Sequence, residues 1–480
     1  MASRDTSLKV IVTLVISSFV PVFLIDKPYT DDYARTIKGY FNWSNDGRPL
    51  SDLMVYIMNM GGNLTDISPL SYLLTIAFSI TSCFIICRFV LRDSSLNSSS
   101  SACLVFLSPF YIQNLLYKYD CATMSLSILM CCIPFIDDLK KDNKRVAIYS
   151  VVFVILSLSL YQASVPVFFC LCMIELIATA EKDKIKLPFI TLIRCFFGGL
   201  GIITYKFLIA PFFLSGDYGT ERSELVSLNQ EGLINAISNI EKYVEFIISS
   251  MSEVWAFVFS IASIASVLAI ALKVKNNESR FIYLIAVSAS FYCILLSMMM
   301  FFLTKNPVYY PRIMIGFNSL IMTMFCICSV CFKGKARYII SVMIAVILMV
   351  YFSQQSKILN FIKSSYNNEK QIALMMKIDM LNLSPKSELI IHGYPPLTID
   401  SKKIKGQVPY VPDIYHPDLG WNTTSLFTDI ETPFLMSQKG NYYGVKDEVC
   451  GLVVKKWNGI YTITNKEGKY HAVFRNEECL

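Results

Sequence analysis

Along the first 353 of its 480 residues the sequence repeats one pattern, an apolar run closed at each end by a short polar or charged stretch. A bilayer core about 30 Å thick takes a helix of roughly 17–25 residues. About eleven runs approach that length, near 8–25, 69–87, 102–117, 121–136, 146–162, 164–180, 188–212, 246–272, 281–303, 313–332 and 338–353. With no water to satisfy the backbone in hydrocarbon, such runs fold as helices. The expected fold class is therefore an all-α polytopic membrane protein. Pro109, Pro134 and Pro166 interrupt or bound three of the runs. Composition points the same way, because only 16% of residues are charged, against about 25% in soluble domains. The first run reads as a retained span, since Lys27, Pro28, Tyr29 and Thr30 follow it where a signal peptide would carry a small-x-small site.

The net charge of +7, from 43 Lys+Arg against 36 Asp+Glu, does not mark a nucleic-acid partner. The basic residues lie in short clusters between apolar runs and act as topology signals. One alternate set of loops, including Lys140, Lys141, Lys144 and Arg145, holds 17 Lys and Arg, and the other holds 9. The richer set is expected on the cytoplasmic side. Eleven spans then put the N-terminus inside and the tail outside.

This divides the chain into a membrane region, 1–353, with an outer first loop at 26–68, and an extracytoplasmic tail, 354–480. A helix is expected over Ser353–Asn382, strands over Ser387–Gly393 and Glu448–Val454, and a hairpin over Gly459–Arg475 around Asn465-Lys466-Glu467-Gly468. The tail thus reads as a small α+β domain. Thirteen of the 15 cysteines precede residue 332, mostly within apolar runs where a thiol behaves as a small hydrophobe. Cys450 and Cys479 alone lie in the tail, where an oxidising compartment permits one internal pairing, with free thiols as the alternative.

Two outer loops stand out. The first carries DKPYTDDYARTIKGYFNWSNDGRPLSDL, and after Pro49 the residues Leu50, Leu53, Met54, Ile57 and Met58 follow helical spacing suited to lying on a membrane surface. The second, 213–245, is polar and begins SGDYGTERSE. Asp31 and Asp32 are adjacent acids just past the first span. Repulsion between them can leave one ionised and able to take a proton from a hydroxyl, and a solvated helix cap is the bland alternative. Arg35, Lys38 and Arg48 share that loop, while Lys118, Lys305 and Arg312 belong to other outer turns. Outer cations oppose the positive-inside trend, so they either bind a lipid-linked phosphate or pair with the acids of the same loop.

Asp120, in LYKYDCAT, sits between two apolar runs with no polar linker, where a carboxylate is costly unless it faces a cavity or a partner, with Lys118 the nearest in sequence. Tyr161 and Gln162, in SLYQASVP, occupy a similar turn. Lys206, inside the seventh run, is expected to snorkel. The three histidines, His392, His416 and His471, lack metal-ligand spacing and read as surface residues. No phosphate-cradling Gly-rich loop and no paired zinc CxxC spacing occur, so neither a nucleotide, a metal nor another cofactor is expected.

At DDYAR, followed by GYFNW and GRPLSDL, the sequence resembles the multi-span bacterial and bacteriophage glucosyltransferases of the type II Gtr family, which modify O-antigen and convert serotype. LYKYDCATMSLS and SLYQAS are similar to further family motifs, and YYPRIMIGF is a weaker match. Lys118 and Cys121 stand where the family pattern leads one to expect an Arg and a Ser. The resemblance implies a GT-C type membrane glycosyltransferase in the bacterial inner membrane with a periplasmic tail. It would transfer glucose from polyprenyl phosphate glucose to lipid-linked O-antigen repeats, inverting the donor linkage. It would work beside a polyprenyl phosphate glucose synthase and a flippase. It also implies roles: Asp31, Asp32 or Asp120 as the base, Arg35, Arg48, Lys118 and Arg312 on the donor phosphate, and Tyr33, Trp43, Tyr161 and Gln162 at the acceptor sugar. A lipid-linked sugar flippase or transporter is the rival from another class, although such proteins usually show internal repeats and broken midplane helices. A membrane acyltransferase is expected to place a His among its spans, and none of the histidines lies there.

The charge count predicts that a reporter fused after residue 360 is active in the periplasm; activity only in the cytoplasm would overturn this topology. The isolation of Cys450 and Cys479 predicts a disulfide closing a loop of about 30 residues, worth roughly 3 kcal/mol in the loop-entropy treatment. Thiol labelling of the unreduced, unfolded protein should spare both, and labelling of both would exclude the bond.

Overall fold

A computed structural model describes residues 2–140, 142–179, 186–215, 221, 224–227, 229–275, 297–380, 388–415, 426, 435–436, 454–457, 459–466 and 469–474. Cys450, Cys479, His416, residues 448–453 and most of the 281–303 run lie outside the described residues. Contacts divide the chain into two compact units. The first comprises Met1–Asp26 and Tyr40–Gln355, the second Lys27–Gly39 and Ser356–Leu480. The DDYAR segment therefore groups with the tail.

The first unit is helical. Six helices among the described residues are long and apolar enough to cross a membrane: Asp5–Phe23, Leu70–Leu91, Asn143–Leu160, Phe189–Phe213, Glu253–Leu272 and Lys335–Asp379, the last running on into the second unit. Five shorter apolar helices accompany them: Pro49–Met58, Leu96–Leu107, Cys121–Phe135, Gln162–Ala178 and Ile315–Cys331. Several apolar runs are interrupted at identifiable residues. Ser108 turns extended before Pro109, which ends the Leu96–Leu107 helix, and Met251 separates Gln230–Ser250 from Glu253–Lys275. The polar loop expected over 213–245 thus contains most of a 21-residue helix.

Small polar residues bring these helices together. The Ser98–Ser101 tract lies within a helix capped by the Ser95 hydroxyl. Ser99 meets Ser7 at 2.7 Å and Ser101 meets Ser329 at 3.0 Å, hydroxyl contacts that allow close backbone approach. The described cysteines are ten buried and two half-buried thiols, in keeping with a packing role.

Two charges within apolar runs, Glu175 and Arg194, meet in this core. The Arg194 guanidinium donates to Glu175 and stacks 4.4 Å from the Phe135 ring centroid, and both partners are essentially unexposed. Sequence reading passed over this pair although both charges interrupt their runs.

In the second unit a five-stranded mixed sheet has the order β2-β1-β5-β4-β3, with β1 Glu388–His392, β2 Leu435–Met436, β3 Val454–Trp457, β4 Tyr461–Lys466 and β5 Lys469–Phe474. β1 runs parallel to β2 and β5, while β4 pairs antiparallel with β3 and β5. Ile372 and Met376 of the long helix and Met380 just past its end pack on Leu389, Ile391, Ile463 and Phe474. The expected helix, first strand and hairpin all form. The histidine reading is corrected: His392 Nε2 and His471 Nδ1 lie 2.9 Å apart on adjacent strands, both buried.

Breaking a buried pair by removing one partner typically costs 3–5 kcal/mol, while replacing both by apolar groups is often neutral. Glu175→Ala should therefore sharply lower the amount of folded protein in detergent, and Glu175→Leu with Arg194→Met should restore it. Equal loss in the single and double variants would show that the pair is not the cause.

Candidate functional site

In the first unit, most of the sequence-derived candidates converge where helices end. Arg48, at the head of the Pro49–Met58 helix, donates to Asp120 Oδ2 at 2.7 Å and approaches Asp46 at 3.5 Å. Asp120 is buried at the start of the Cys121–Cys132 helix and accepts a further bond from the Thr123 hydroxyl at 2.8 Å. The bland expectation that Asp120 pairs with Lys118 is corrected: its partner is Arg48. Burial pulls the Arg48 pKa down, but the neighbouring Asp120 and Asp46 carboxylates outweigh that and leave it raised.

Lys118 instead holds two acids, Asp26 and Asp66, each at 2.7 Å. These residues begin and end the first loop, so one ammonium clasps its two ends. Burial opposes the charge on Lys118, yet its bonds to the two carboxylates leave its pKa raised. Burial likewise disfavours the Asp66 anion, while hydrogen bonds from Lys118 and Ser68 hold its pKa below the usual value. Both shifts widen the neutral range in which the clasp is charged.

Tyr161 and Gln162 occupy the turn between two apolar helices, where Tyr161 is extended. The Arg48 guanidinium lies 5.7 Å from the Tyr161 ring centroid, and the Tyr161 hydroxyl donates to the Arg312 carbonyl at 3.1 Å. Gln162 Nε2 donates to the carbonyls of Asp46 at 3.0 Å and Gly47 at 3.3 Å. Tyr205 also donates to Gly47. Gly47 has φ +75°, and a Cβ there would stand 2.9 Å from the Tyr205 hydroxyl, so both conformation and space require glycine.

Arg312, in the turn before the Ile315–Cys331 helix, is fixed through its main chain. Its N–H donates to Gln113 at 2.9 Å and its carbonyl accepts from Asn114 at 3.1 Å. Its guanidinium donates to the Tyr117 hydroxyl and lies over the rings of Tyr117 at 4.9 Å and Tyr310 at 5.8 Å. Gln113, Asn114, Tyr117, Thr123 and Tyr205 were not among the candidates. The two amides within an apolar run were the available signal. Trp43 is fully buried among Val55, Leu64 and Tyr119 and presents no exposed ring face, while Asp52 accepts from the Trp43 and Ser44 N–H groups and shapes that turn.

The remaining candidates belong to the second unit, on the helix Asp31–Lys38. Its acids fall in the first turn and Arg35 and Lys38 in the last, the order favoured by the helix dipole. Asp31 is exposed, whereas Asp32, Tyr33 and Arg35 are buried. Of the solvated-cap alternative, solvation holds for Asp31 alone, while the N-cap position belongs to Thr30. The segment is tied down by Lys27, whose ammonium lies 4.4 Å from the Tyr366 ring and 4.5 Å from the Tyr415 ring, and by the Tyr29 hydroxyl, which donates to the Ile414 carbonyl. Among the described residues no cluster of three or more His, Cys, Asp or Glu could hold a metal ion.

A carboxylate held by an arginine, a second arginine among aromatic rings, and amide and phenol groups between them suit an anionic ligand that also carries hydroxyls. Comparison with known proteins agrees with a sugar-transfer role. The chain is 31% identical over 218 residues to a protein of Salmonella phage P22 described as an uncharacterized 55.3 kDa protein in the gtrB 5' region. The match spans 44% of this chain and 44% of that relative's length. The sequence profile of the glucosyl transferase GtrII family matches residues 20–325, well over half of the chain and all of the first-unit cluster. The chain belongs to the GtrII glucosyl transferase family.

Proposed function

We propose that the protein transfers a glucosyl residue from polyprenyl phosphate glucose to a hydroxyl of a lipid-linked O-antigen repeat, on the periplasmic face of the bacterial inner membrane. The observation that carries this reading is the pair of half-buried Arg48 with buried Asp120, set beside Tyr161, Gln162 and Arg312 at the ends of apolar helices, in a chain of a glucosyltransferase family. Eleven spans, with the N-terminus inside and the tail outside, remain part of the proposal.

In the reaction the acceptor oxygen attacks the anomeric carbon as the bond from that carbon to the phosphate oxygen breaks. The leaving electron pair stays on polyprenyl phosphate, and the hydroxyl proton passes to a carboxylate. Direct displacement inverts a β-linked donor to an α-glucoside. Arg312 and Arg48 hold the developing phosphate charge by forked donation. Lys118 already donates to Asp26 and Asp66, so its main part is to hold the loop. Tyr161 and Gln162 stand where a sugar hydroxyl would be bound. The base is Asp120 on the geometry of the first unit, and Asp31 or Asp32 on the strength of the DDYAR motif. Each is tested separately.

Loss of a general base lowers rate by about 10²–10⁴-fold, whereas loss of an exposed ion pair shifts stability by about 0–1 kcal/mol. Transfer from synthetic polyprenyl phosphate glucose should therefore fall at least about 100-fold in one of Asp120→Asn, Asp31→Asn and Asp32→Asn. Arg312→Ala should also fall, with partial recovery in Arg312→Lys. Membrane-inserted protein is quantified alongside, because Asp120 also stabilises Arg48. Transfer that tracks folded protein in every variant would remove these residues from the chemistry. A transporter would instead relocate the lipid-linked sugar and form no new glycosidic bond.

A further inference from the structure

Outside the Arg48–Asp120 cluster, the first unit carries an open groove of about 550 Å³, within the range of roughly 300–1,000 Å³ that ligand sites occupy. One wall is the Gln230–Ser250 helix, where Glu231, Asn235, Ser238 and Lys242 follow at spacings of four, three and four and so share one face. The other wall is the segment 305–309. Asn239 locks the two together. Its side-chain amide donates to the Thr304 carbonyl and to Asn235 Oδ1, each at 3.0 Å, and its main-chain carbonyl accepts from the Tyr309 hydroxyl at 3.1 Å. Half-buried Tyr309 is the outer member of a ring stack, its centroid 5.5 Å from that of Phe301, which lies 4.4 Å from that of buried Tyr243.

The lining argues the occupant. Among the described residues the side chains of Ser238, Lys242 and Asn306 make no hydrogen bond or ion pair, and Asn235 keeps its Nδ2 uncommitted. These groups offer both donors and acceptors. The groove's charges balance, Glu221 and Glu231 against Lys242 and Lys305, and Lys305 is already paired with Glu224 at 2.8 Å. From Glu231 to Lys242 the polar row runs about 16 Å at 1.5 Å per residue. A lone ion would need its partners gathered at one point, and a polyanion would need cations without the intervening acids. An extended, uncharged chain of hydroxyl groups fits the row, and the Tyr309 ring, held by its stack, suits the apolar face of a sugar ring.

The groove's place fits the same occupant. Tyr309 precedes Arg312 by three residues, at most about 11 Å of extended chain, so one ligand can reach both. On the opposite side of the Gln230–Ser250 helix, Leu233, Ile237, Val244 and Ile248 are exposed, an apolar stripe suited to the bilayer interface. The polar row then lies away from hydrocarbon, where the glycan of a lipid-linked acceptor would stand. We propose that this groove is a subsite for the acceptor glycan: it holds sugar units next to the one that is glucosylated and thereby selects the polysaccharide that is modified. The inference rests on the acceptor class of the proposed function.

The test has two readouts on the full-length protein in detergent. A diazirine-bearing oligosaccharide of two O-antigen repeats, prepared from the O-polysaccharide of the cells in which the enzyme acts, should label peptides within 230–242 and 305–309. Raised salt should not displace it, because the contacts are uncharged. In parallel, donor and acceptor KM are measured for transfer to the lipid-linked acceptor. Asn235→Ala, which removes one hydrogen-bonding group, should raise acceptor KM by about three- to tenfold. Ser238→Trp, which obstructs the row, should raise it by at least about tenfold, and donor KM should be unchanged in both. Asn306→Ala, at an exposed position, disturbs folding least and should act in the same direction as Asn235→Ala. Labelling of these peptides without any glucosyl transfer would refute the proposed reaction and leave the glycan subsite standing. Labelling elsewhere, displacement of the probe by salt, or an unchanged acceptor KM in every folded variant would overturn the subsite.

Discussion

The ion pair between Arg48 and Asp120 is the contact on which the first-unit cluster depends. Asp120 is buried and Arg48 half-buried, so loss of Arg48 leaves the buried carboxylate without its counter-charge. The pair joins residues 72 positions apart, one from the first loop and one from the turn that opens the Cys121–Cys132 helix. It also fixes where Asp46 and Gly47 present their carbonyls to Gln162. The Lys118 clasp on Asp26 and Asp66 acts in the same direction by closing the loop at its base.

The cluster lies where helices end, and backbone chemistry accounts for this. Helix ends leave carbonyls and N–H groups without intrahelical partners. In an apolar setting those groups must find side chains. The Arg312 carbonyl is met by Asn114 and Tyr161 and its N–H by Gln113. The same amides and phenol that complete the backbone thereby form a rigid polar surface. Such a surface suits recognition of a charged sugar phosphate, since groups held by their neighbours need little rearrangement when the ligand binds.

The helical membrane region was legible because hydrocarbon thickness sets a length that composition displays directly. The tail's β1 and its hairpin were legible from alternation and a turn signal. Asp120, Tyr161, Gln162 and Arg312 were found because polar groups between apolar runs are expensive, which holds whatever their partners. The partners themselves were not legible. Asp120 lies two residues from Lys118, yet the chain turn sends Lys118 to Asp26 and Asp66 and brings Arg48 to Asp120. Trp43, which the resemblance places at the acceptor sugar, is at the centre of a small core, because Val55, Leu64 and Tyr119 return to cover it. His392 and His471, 79 positions apart, are paired only by the parallel register of β1 and β5, which no local pattern encodes.

The Arg48–Asp120 pair also shapes how the proposed chemistry would proceed. Asp120 accepts a charge-assisted bond from the Arg48 guanidinium and another from the Thr123 hydroxyl, so both of its oxygens are engaged. An arriving phosphate offers the same guanidinium a doubly suited acceptor, because its oxygens match the planar fork. If Arg48 turns toward the phosphate, the Asp120 oxygen it leaves becomes available to accept a hydrogen bond from another donor, such as an acceptor hydroxyl. Donor binding and base activation would then be a single exchange of partners. On the proposed reaction, the carboxylate would be held by arginine until a donor arrives, and its access to an acceptor hydroxyl would depend on the phosphate that is about to leave.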